Sequence, residues 1–370
     1  MDLRVNFMDL SLKNPIIVAA GPWTRNASMI KKAIDAGAGA IVTETILTQV
    51  RPNVRPRLVA KGQSMQNIRL YSDLALEEWE REIYTIKDYG GTVIASILAH
   101  SPSEMAYIAG RVEKFGADAI ELGVASPHGE GIEVLSSNTD QIFNITKSVC
   151  QSVNIPVMVK LSPHATNIHK IGKAVEKAGA SAISAIDTVR SILGVDINTG
   201  KPLLPTYGGY SGDAIRPIGL ATVATLSQST AIDICGIGGI GTYEHALEYM
   251  MLGATAVQIG TALILQGYDV IPRILDDLAT WLNESEYSNL NDLRGKALKS
   301  LKSFEEIDVI PKKAHVHNPC PLATCNACVK TCFYDAISKS ADQISIHDMA
   351  CTGCGICLSV CPEKLFELKW

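Results

Sequence analysis

The sequence predicts an eight-stranded (β/α)8 barrel followed by a small cysteine-rich domain. Two observations support this prediction. Short apolar runs alternate with amphipathic stretches through the first part of the 370-residue chain, which is typical of repeated βα units. Eight of the ten cysteines lie beyond residue 319, in two spaced groups. We expect the barrel at 1–285, a linker at 286–315 and the second domain at 316–370. A doubly wound parallel sheet is the alternative for the first domain.

A short motif that recurs four times sets the period of the barrel. Each copy reads Gly-Ala-x-Ala followed by isoleucine or valine, and the copies begin at Gly37, Gly116, Gly179 and Gly253. The glycine is suited to end a helix, and the small residues after it let the turn press against a sheet. Neighbouring copies lie about two βα units apart, so every second strand is expected to begin in this way.

Four further apolar runs, at 16–20, 93–97, 156–161 and 231–235, lie between these copies. Together the two sets predict eight strands that begin near residues 16, 40, 93, 118, 156, 182, 231 and 255. Amphipathic stretches at 28–36, 102–115, 165–178 and 242–252 are predicted to be helices between them. Two connections, 45–73 and 187–216, are long for a barrel, and loops of this length commonly act as lids or substrate loops.

Composition excludes several classes of function. The net charge is −5 and no run of lysines and arginines occurs, which argues against a surface for nucleic acid or anionic lipid. No apolar run reaches 18 residues, and the first residues lack the apolar core of a signal peptide. Cysteines at metal-ligand spacing require a reducing compartment, so we expect a cytoplasmic protein.

The spacing of the cysteines predicts two 4Fe–4S clusters. The second group, Cys351-x2-Cys354-x2-Cys357-x3-Cys361-Pro362, is the run typical of bacterial ferredoxins, and the first, Cys320-x4-Cys325-x2-Cys328-x3-Cys332, has two extra residues after its opening cysteine. In such runs the fourth cysteine binds the neighbouring cluster. We therefore assign to the first cluster Cys320, Cys325, Cys328 and Cys361, and to the second cluster Cys332, Cys351, Cys354 and Cys357.

Zinc sites and disulfides are the alternatives for these cysteines. Zinc pairs normally lie far apart as two C-x2-C knuckles, whereas here three ligands follow at consecutive short steps. One position stays open: Leu322 occupies the regular place of the first ligand. If Cys320 does not reach the first cluster, that cluster is expected to be labile or to hold three irons.

Barrel active sites lie at the carboxyl ends of the strands, so candidate active-site residues are expected there. Gly238-Gly239 and Gly260-Thr261 follow the predicted seventh and eighth strands, where backbone amides of many barrels bind a phosphate. Lys160 closes the fifth strand and, if it points inward, needs a negative partner; a surface lysine is the alternative. Ser126 follows the fourth strand and is a candidate proton donor or an ordinary turn residue.

Several segments resemble the flavin domain of dihydropyrimidine and dihydroorotate dehydrogenases. They are Ala19-Ala20-Gly21, Ser126-Pro127-His128, Lys160 with its neighbours, Asp187-Thr188-Val189, the stretch 209–217, and the glycine motifs of strands seven and eight. The cysteine-rich tail is similar to the end of dihydropyrimidine dehydrogenase. The likeness covers essentially the whole chain in the same domain order, and is closest to the flavin-and-cluster subunit of the bacterial two-subunit enzyme.

The resemblance implies FMN in the barrel. Its phosphate is expected on Gly238, Gly239, Gly260 and Thr261. The remaining flavin contacts are expected from Ala20, Gly21, Thr45, Lys160, Thr188, Ser211 and Gly212. The resemblance also makes Ser126 the proton-transfer residue, with Lys160 as the second catalytic residue and His128 beside the substrate.

The sequence departs from the family pattern around the substrate. The family's catalytic residue before the strand-four proline is usually cysteine, whereas this chain has Ser126, as the membrane-associated dihydroorotate enzymes do. Glu44 replaces the lysine that closes strand two. Gly123 and Asp187 stand where the family has asparagines that grip the pyrimidine ring. We therefore expect a substrate other than uracil or orotate, with Glu44, His128 and Asp187 beside it.

These features predict an oxidoreductase acting on CH–CH bonds, in which electrons pass through two clusters to FMN and Ser126 moves a proton. No strand–GxGxxG–helix fingerprint for NAD(P) occurs. An NAD(P)H-oxidising flavoprotein subunit or a ferredoxin is therefore expected as electron partner, in a homo- or hetero-oligomer. The alternatives are an electron-transfer subunit without its own substrate turnover, and a sugar-phosphate barrel enzyme without flavin.

Overall fold

The computed structural model describes residues 2–50, 54–68, 71–124, 137–307 and 312–369. The chain divides into two compact units, Met1–Leu301 and Lys302–Trp370. None of the described helices combines the length and apolar character needed to cross a lipid bilayer.

The first unit is built on a closed barrel of eight parallel strands, so the predicted fold class is confirmed and the doubly wound alternative is wrong. Barrel strands one to eight are Ile16–Val18, Ala40–Val42, Val93–Ile97, Ala119–Leu122, Val157–Leu161, Ala182–Ala185, Asp233–Ile237 and Ala256–Ile259. Nearly every residue in them is buried. This explains why they read as continuous apolar runs, because strands covered by helices on one side and a packed interior on the other have no solvent face.

Helices cover the barrel on the outside. They are Ala27–Asp35, Leu76–Asp88, Pro102–Lys114, Thr139–Cys150, Ile168–Lys177, Arg216–Ser227, Tyr243–Met251, Thr261–Gln266 and Val270–Glu284. Asn26, Ser101, Asn138 and Thr242 cap the first turns of their helices by accepting a backbone N–H. The glycines of the recurring motif follow four of these helices with φ near +100°, the left-handed conformation that glycine adopts readily.

The two long connections form one antiparallel sheet, which we call the lid sheet. Its strands are Leu58–Lys61, Ser64–Asn67, Val189–Ser191 and Gly208–Gly212. Gln66 is buried between them, where its Nε2 donates to Ser191 O at 2.9 Å and its Oε1 accepts from Leu193 N at 2.8 Å. The lid segments after strands two and six are therefore held together as one element.

The first unit extends beyond the predicted end of the barrel domain. Short 3-10 turns at Leu290–Leu293 and Lys296–Ser300 belong to it, and Leu290 and Leu293 are buried in its core. Arg294 also donates to Gly253 O and pairs with Asp233 at 3.2 Å. Residues 286–301, which the sequence assigns to a linker, therefore pack onto the barrel because two leucines supply an apolar face.

The second unit consists of one pair of strands from its two ends, one hairpin and two short helices. Lys313–Val316 pairs with Phe366–Lys369, and Ile337–Ser340 pairs with Gln343–Ile346. The helices Ala327–Thr331 and Ile356–Val360 each carry one cysteine, Cys328 and Cys357. Ala314, Ile337 and Phe366 form a small core with the cysteines. Because strand Lys313–Val316 pairs with the last strand, this unit begins before residue 316.

Candidate active site

A cavity of about 540 Å³ opens at the carboxyl ends of the barrel strands. Leu58, Gln63, Met65 and Asn67 of the lid segment line one side of it. The residues that the resemblance assigns to FMN all line this cavity: Ala20, Gly21, Thr45, Lys160, Thr188, Ser211, Gly212, Gly238, Gly239, Gly260 and Thr261. Two predicted substrate residues, Glu44 and Asp187, lie there too. Ser126 and His128 fall outside the described residues.

The glycine loop after strand seven has no room for side chains. Gly239 has a φ of +68°, and a Cβ at this position would lie 2.8 Å from Gly212 O and 2.9 Å from Arg216 Cβ. Below the loop, the Tyr249 hydroxyl donates to Ile237 O at 3.1 Å or Gly238 O at 2.9 Å. The loop backbone is thus held close to its neighbours, with a bare surface toward the cavity.

A second polar contact joins strand eight to the lid sheet. Thr261 Oγ1 donates to Ser211 Oγ at 2.7 Å, and both residues line the cavity. Thr261 begins a helix directly after Gly260, at the end of strand eight. The two glycine sites predicted from sequence are therefore brought together with Ser211 at one end of the cavity.

A buried polar group lies in the barrel interior beneath the cavity. Glu121 is fully buried, and its Oε1 accepts hydrogen bonds from Ser184 Oγ and Gln258 Nε2, both at 2.8 Å. These three residues come from strands four, six and eight, the alternate strands that supply one layer of a barrel interior. The other oxygen, Oε2, lies 3.9 Å from Lys160 Nζ and has no hydrogen-bond partner among the described residues.

Lys160 faces the cavity and not the surface, so the surface alternative is wrong. Its side chain is 11% exposed. Burial by itself would lower the pKa of the Lys160 ammonium, but the carboxylates of Glu121 and Asp187 and the nearby Cys235 raise this pKa above its ordinary value. Lys160 is therefore positively charged at neutral pH. It has the negative partners expected of a lysine that points into a barrel.

The cavity carries more acidic than basic groups. Among the described lining residues the carboxylates are Glu44, Glu121, Asp187 and Asp213, and the only lysine or arginine is Lys160. Asp213 pairs with Arg216. Asp187 Oδ1 accepts from Thr188 N at 2.6 Å, which fixes its carboxylate beside the cavity. At Gly123 a Cβ would be in ordinary van der Waals contact, 3.4 Å from Ile97 O and from Thr45 Cγ2.

Sequence reasoning missed Glu121 and Gln258. An acidic residue inside the apolar strand Ala119–Leu122 is the same signal that singled out Lys160, and it could have identified Glu121. Gln258 gives no such signal, because an amide within a strand is common. Asn67 and Met65 were also missed, since nothing in a long irregular connection shows which residues turn toward the barrel.

The cysteines of the second unit lie in the predicted groups. Cys320, Cys325, Cys328 and Cys361 line one small cavity. The pKa of the Cys328 thiol is raised by burial and by the neighbouring Cys361 and Cys320 thiols, and that of Cys357 by burial and by Cys351 and Cys354. Cys361 thus lies with the first cysteine group, as expected if the fourth cysteine of each group binds the neighbouring cluster. Cys332 packs against the same small core.

The donor set fits iron–sulfur clusters. All ten cysteines are free thiols, so the described chain contains no disulfide. Within the described ranges no three His, Cys, Asp or Glu side chains converge on one point as a single metal ion requires. Thiolates of a four-iron cluster bind four different irons and do not need to converge in this way. Ala314 N also approaches Cys351 Sγ at 3.5 Å, a contact of the kind that tunes cluster potentials.

Comparisons with known proteins agree with this architecture. Residues 2–282 match the family described as dihydroorotate dehydrogenase, which covers the barrel. The chain belongs to the dihydroorotate dehydrogenase family. Members of this family are FMN-dependent oxidoreductases that act on CH–CH bonds, so the resemblance stated from sequence is confirmed at the family level. Residues 323–365 match the 4Fe-4S dicluster domain, which confirms a ferredoxin-like domain at the end of the chain.

Relatives of the barrel are similar over nearly their whole length. The catalytic subunit of dihydroorotate dehydrogenase B (NAD(+)) from Pyrococcus abyssi is 36% identical over 304 residues, covering 80% of this chain and 99% of the relative. The subunit of the same name from Thermoplasma volcanium is 35% identical over 302 residues, with 80% and 99% covered. The crystal structure of the Eimeria tenella dihydroorotate dehydrogenase in complex with ferulenol shares the fold, with a TM-score of 0.71 at 20% identity over 80% of this chain and 88% of that one.

Proposed function

We propose that this protein is an FMN- and iron–sulfur-dependent oxidoreductase that reduces, or forms, an activated C=C bond in a small cyclic substrate. The observation that carries the proposal is the single cavity in which Lys160, its acidic partners and the two glycine sites meet. The 4Fe–4S domain in the same chain supplies a route for electrons.

The lining residues fit FMN. The cavity volume, about 540 Å³, lies within the range of cofactor sites. Gly238 and Gly239 offer backbone without side chains, which suits a phosphate, and Thr261 and Ser211 offer hydroxyls beside them. When bound, FMN supplies hydride transfer to or from a substrate carbon and exchange of single electrons with the clusters.

Lys160 has an electrostatic role in this proposal. Its ammonium is buried, charged and directed into the cavity, where it stabilises the negative charge of the reduced cofactor. A fixed charge in a site of low dielectric acts more strongly than one in water, and needs no rearrangement when charge develops. Residues of the lid sheet, among them Met65 and Ser211, line the same cavity.

We propose Ser126 as the proton donor or acceptor at the substrate carbon next to the one that exchanges hydride. A serine hydroxyl has no useful pKa by itself, so it needs a relay, and His128 or a water molecule is the candidate. This assignment is supported by its place after strand four, where the resembling enzymes keep their proton-transfer residue.

Electrons are proposed to enter through two 4Fe–4S clusters, held by the two cysteine groups. A partner has to supply them, and an NAD(P)H-oxidising flavoprotein subunit or a ferredoxin has the required chemistry. The relatives named as catalytic subunits of an NAD(+) enzyme support a multi-subunit arrangement. Cluster thiolates persist under reducing conditions, and the cytoplasm remains the proposed location.

The substrate is proposed to differ from dihydroorotate, uracil and orotate. Glu44, Glu121 and Asp187 surround the cavity, and an anionic ring would meet a repulsion on the order of 4 kcal/mol from a carboxylate roughly 4 Å away. A cationic ring, or one that donates hydrogen bonds, suits these acids better. The competing explanation is that one acid pairs with a lid arginine, Arg51, Arg55 or Arg57, and orders the loop.

Single-turnover oxidation tests the proposal. The anaerobically reduced protein is mixed with unsaturated cyclic acids, amides and thioesters, and the flavin band is followed. Rapid reoxidation by one compound class, with the reduced C–C product recovered, supports the enzyme. A flavin that is reoxidised by an electron acceptor protein but by no member of the panel would favour the electron-transfer subunit instead.

A further inference from the structure

The loop between the first two cysteines of the first cluster is attached to a neighbouring hairpin. Lys339 lies on strand Ile337–Ser340, and its Nζ donates to Leu322 O at 2.5 Å, Ala323 O at 3.4 Å and Cys325 O at 2.8 Å. An ammonium has three N–H donors, and all three of these acceptors lie in this one loop. The lysine therefore fixes the backbone path from residue 322 to residue 325.

The same hairpin holds the other end of the loop. The backbone N–H of Cys320 donates to Asp342 O at 2.6 Å, in the turn that follows Lys339. Cys320 is 6% exposed and lines the small cavity together with Cys325, Cys328 and Cys361. The hairpin thus contacts the loop in two places. The carbonyl of Asp342 accepts from Cys320 at the start of the loop, and the ammonium of Lys339 donates to the carbonyls that follow.

This attachment matters because the spacing is irregular. Two extra residues separate Cys320 from Cys325, and Leu322, at the regular ligand position, is 37% exposed and has no sulfur to offer. For Cys320 to reach the other three cysteines, the inserted residues have to fold back on themselves. Three carbonyl oxygens of this loop lie close enough together to contact one ammonium, and partial negative charges at this separation repel one another unless a cation or several donors satisfy them.

We propose that Lys339 is a positioning residue that keeps Cys320 in place as the fourth ligand of the first cluster. This inference rests on the two-cluster part of the proposed function. Without the ammonium the loop relaxes, Cys320 leaves the cavity, and the first cluster loses the iron that this thiolate binds. Loss of the positive charge beside a ligand carbonyl also makes the reduction potential of that cluster more negative.

Three variants test the role of Lys339. Lys339→Met removes the ammonium and keeps most of the stem, and Lys339→Arg keeps the charge. Lys330→Met removes the same charge from an exposed position between Cys328 and Cys332, and serves as the matched control. Each protein is purified anaerobically with its flavin. The iron content per chain is measured, and electron paramagnetic resonance after mild oxidation reports three-iron clusters.

We expect about eight irons per chain in the parent, in Lys339→Arg and in Lys330→Met, and about one iron fewer in Lys339→Met, with the signal of an oxidised three-iron cluster. A full iron content without that signal in Lys339→Met would overturn the inference. Loss of both clusters from that variant would also overturn it, because Lys339 would then support the whole domain. A parent with about four irons would instead overturn the two-cluster proposal.

Discussion

Glu121 Oε2 lies 3.9 Å from Lys160 Nζ, on the adjacent fourth and fifth strands of the barrel. The carboxylate is fully buried, and Ser184 and Gln258 hold its other oxygen. Breaking a buried ion pair by removing one partner typically costs about 3–5 kcal/mol, because the remaining charge is left uncompensated. Among the groups that raise the pKa of Lys160, Glu121 therefore contributes most to keeping it charged where it faces the cavity.

Replacing Glu121 by Gln should make flavin binding sensitive to pH. In the parent, the raised pKa of Lys160 means that its charge is present below its ordinary value of 10.5 and is lost only as pH rises through the still higher folded value. In Glu121→Gln, fewer negative groups oppose the effect of burial, which lowers the pKa of Lys160. Lys160 therefore loses its proton at a lower pH in this variant than in the parent. We therefore expect the FMN dissociation constant of this variant, measured by flavin fluorescence, to increase as the pH is raised. The increase should begin at a lower pH than in the parent protein.

Two further variants serve as controls for this prediction. Asp233→Asn removes a carboxylate at the opposite end of the barrel, where Arg294 and Thr255 contact it, and should not alter the pH profile of FMN binding. The double variant Lys160→Met with Glu121→Gln removes both charges and should be more stable to heat than Lys160→Met alone. A Glu121→Gln profile that coincides with that of the parent would show that the pair does not govern the flavin site.

Gly239→Ala should abolish most FMN binding. Its added Cβ meets Gly212 O at 2.8 Å, and its φ of +68° strains any residue with a side chain. Gly200 is the matched control, because it has the same φ of +68° but no atom of a described residue within 4 Å of an added Cβ. Gly200→Ala carries the same backbone strain and should retain its flavin. Equal flavin contents in the two alanine variants would contradict the role of the glycine loop.

Ser126→Ala should leave the flavin, the clusters and electron entry intact while it lowers substrate turnover by roughly 10²–10⁴-fold, the usual span for a general acid or base. Steady-state rates with the substrate found in the single-turnover panel provide the measurement. Ser126→Cys should keep more activity than alanine, since a thiol also moves a proton. If the alanine variant turns over within a few-fold of the parent rate, another group transfers the proton, and His128 is the next candidate.

The oxidised protein should not bind pyrimidines tightly. Uracil, thymine and orotate are titrated while the flavin band is recorded, and we expect no saturable shift because Glu44 and Asp187 replace the family's lysine and amide. The variant Glu44→Lys with Asp187→Asn restores the family residues and is expected to gain affinity for orotate. Saturable shifts with the unchanged protein would show that the missing asparagines carry less weight than we assign to them.

The sequence predicted the barrel well because its signals are local. Strands of three to five buried residues, each preceded by a glycine cap or a turn, can be recognised without knowing their neighbours. The cysteine groups are equally local, and the known behaviour of the fourth ligand predicts that Cys361 lies beside the first group, where the small cavity places it. The strand ends then gave many of the residues that line the cavity, since a barrel places all of its strand ends of one kind at one face.

What escaped prediction depends on contacts between distant residues. Glu121 meets Gln258 across a sequence separation of 137 residues, and Gln66 meets Leu193 across 127. Neither contact leaves a periodic trace in the sequence. The role of Lys339 could not be predicted either, because it depends on how the hairpin folds against an irregular loop. The first unit ends at Leu301, beyond the predicted boundary, because Leu290 and Leu293 pack into its core. Two leucines alone do not form a pattern that can be recognised in the sequence.

Cofactor analysis of the anaerobically purified protein decides whether the chain carries FMN and two clusters. Released flavin is identified by mass, and iron, zinc and labile sulfide are counted per chain. We predict about one FMN, about eight irons and no stoichiometric zinc per chain. A protein without flavin, or one with about four irons and zinc in the remaining thiolate sites, would contradict it.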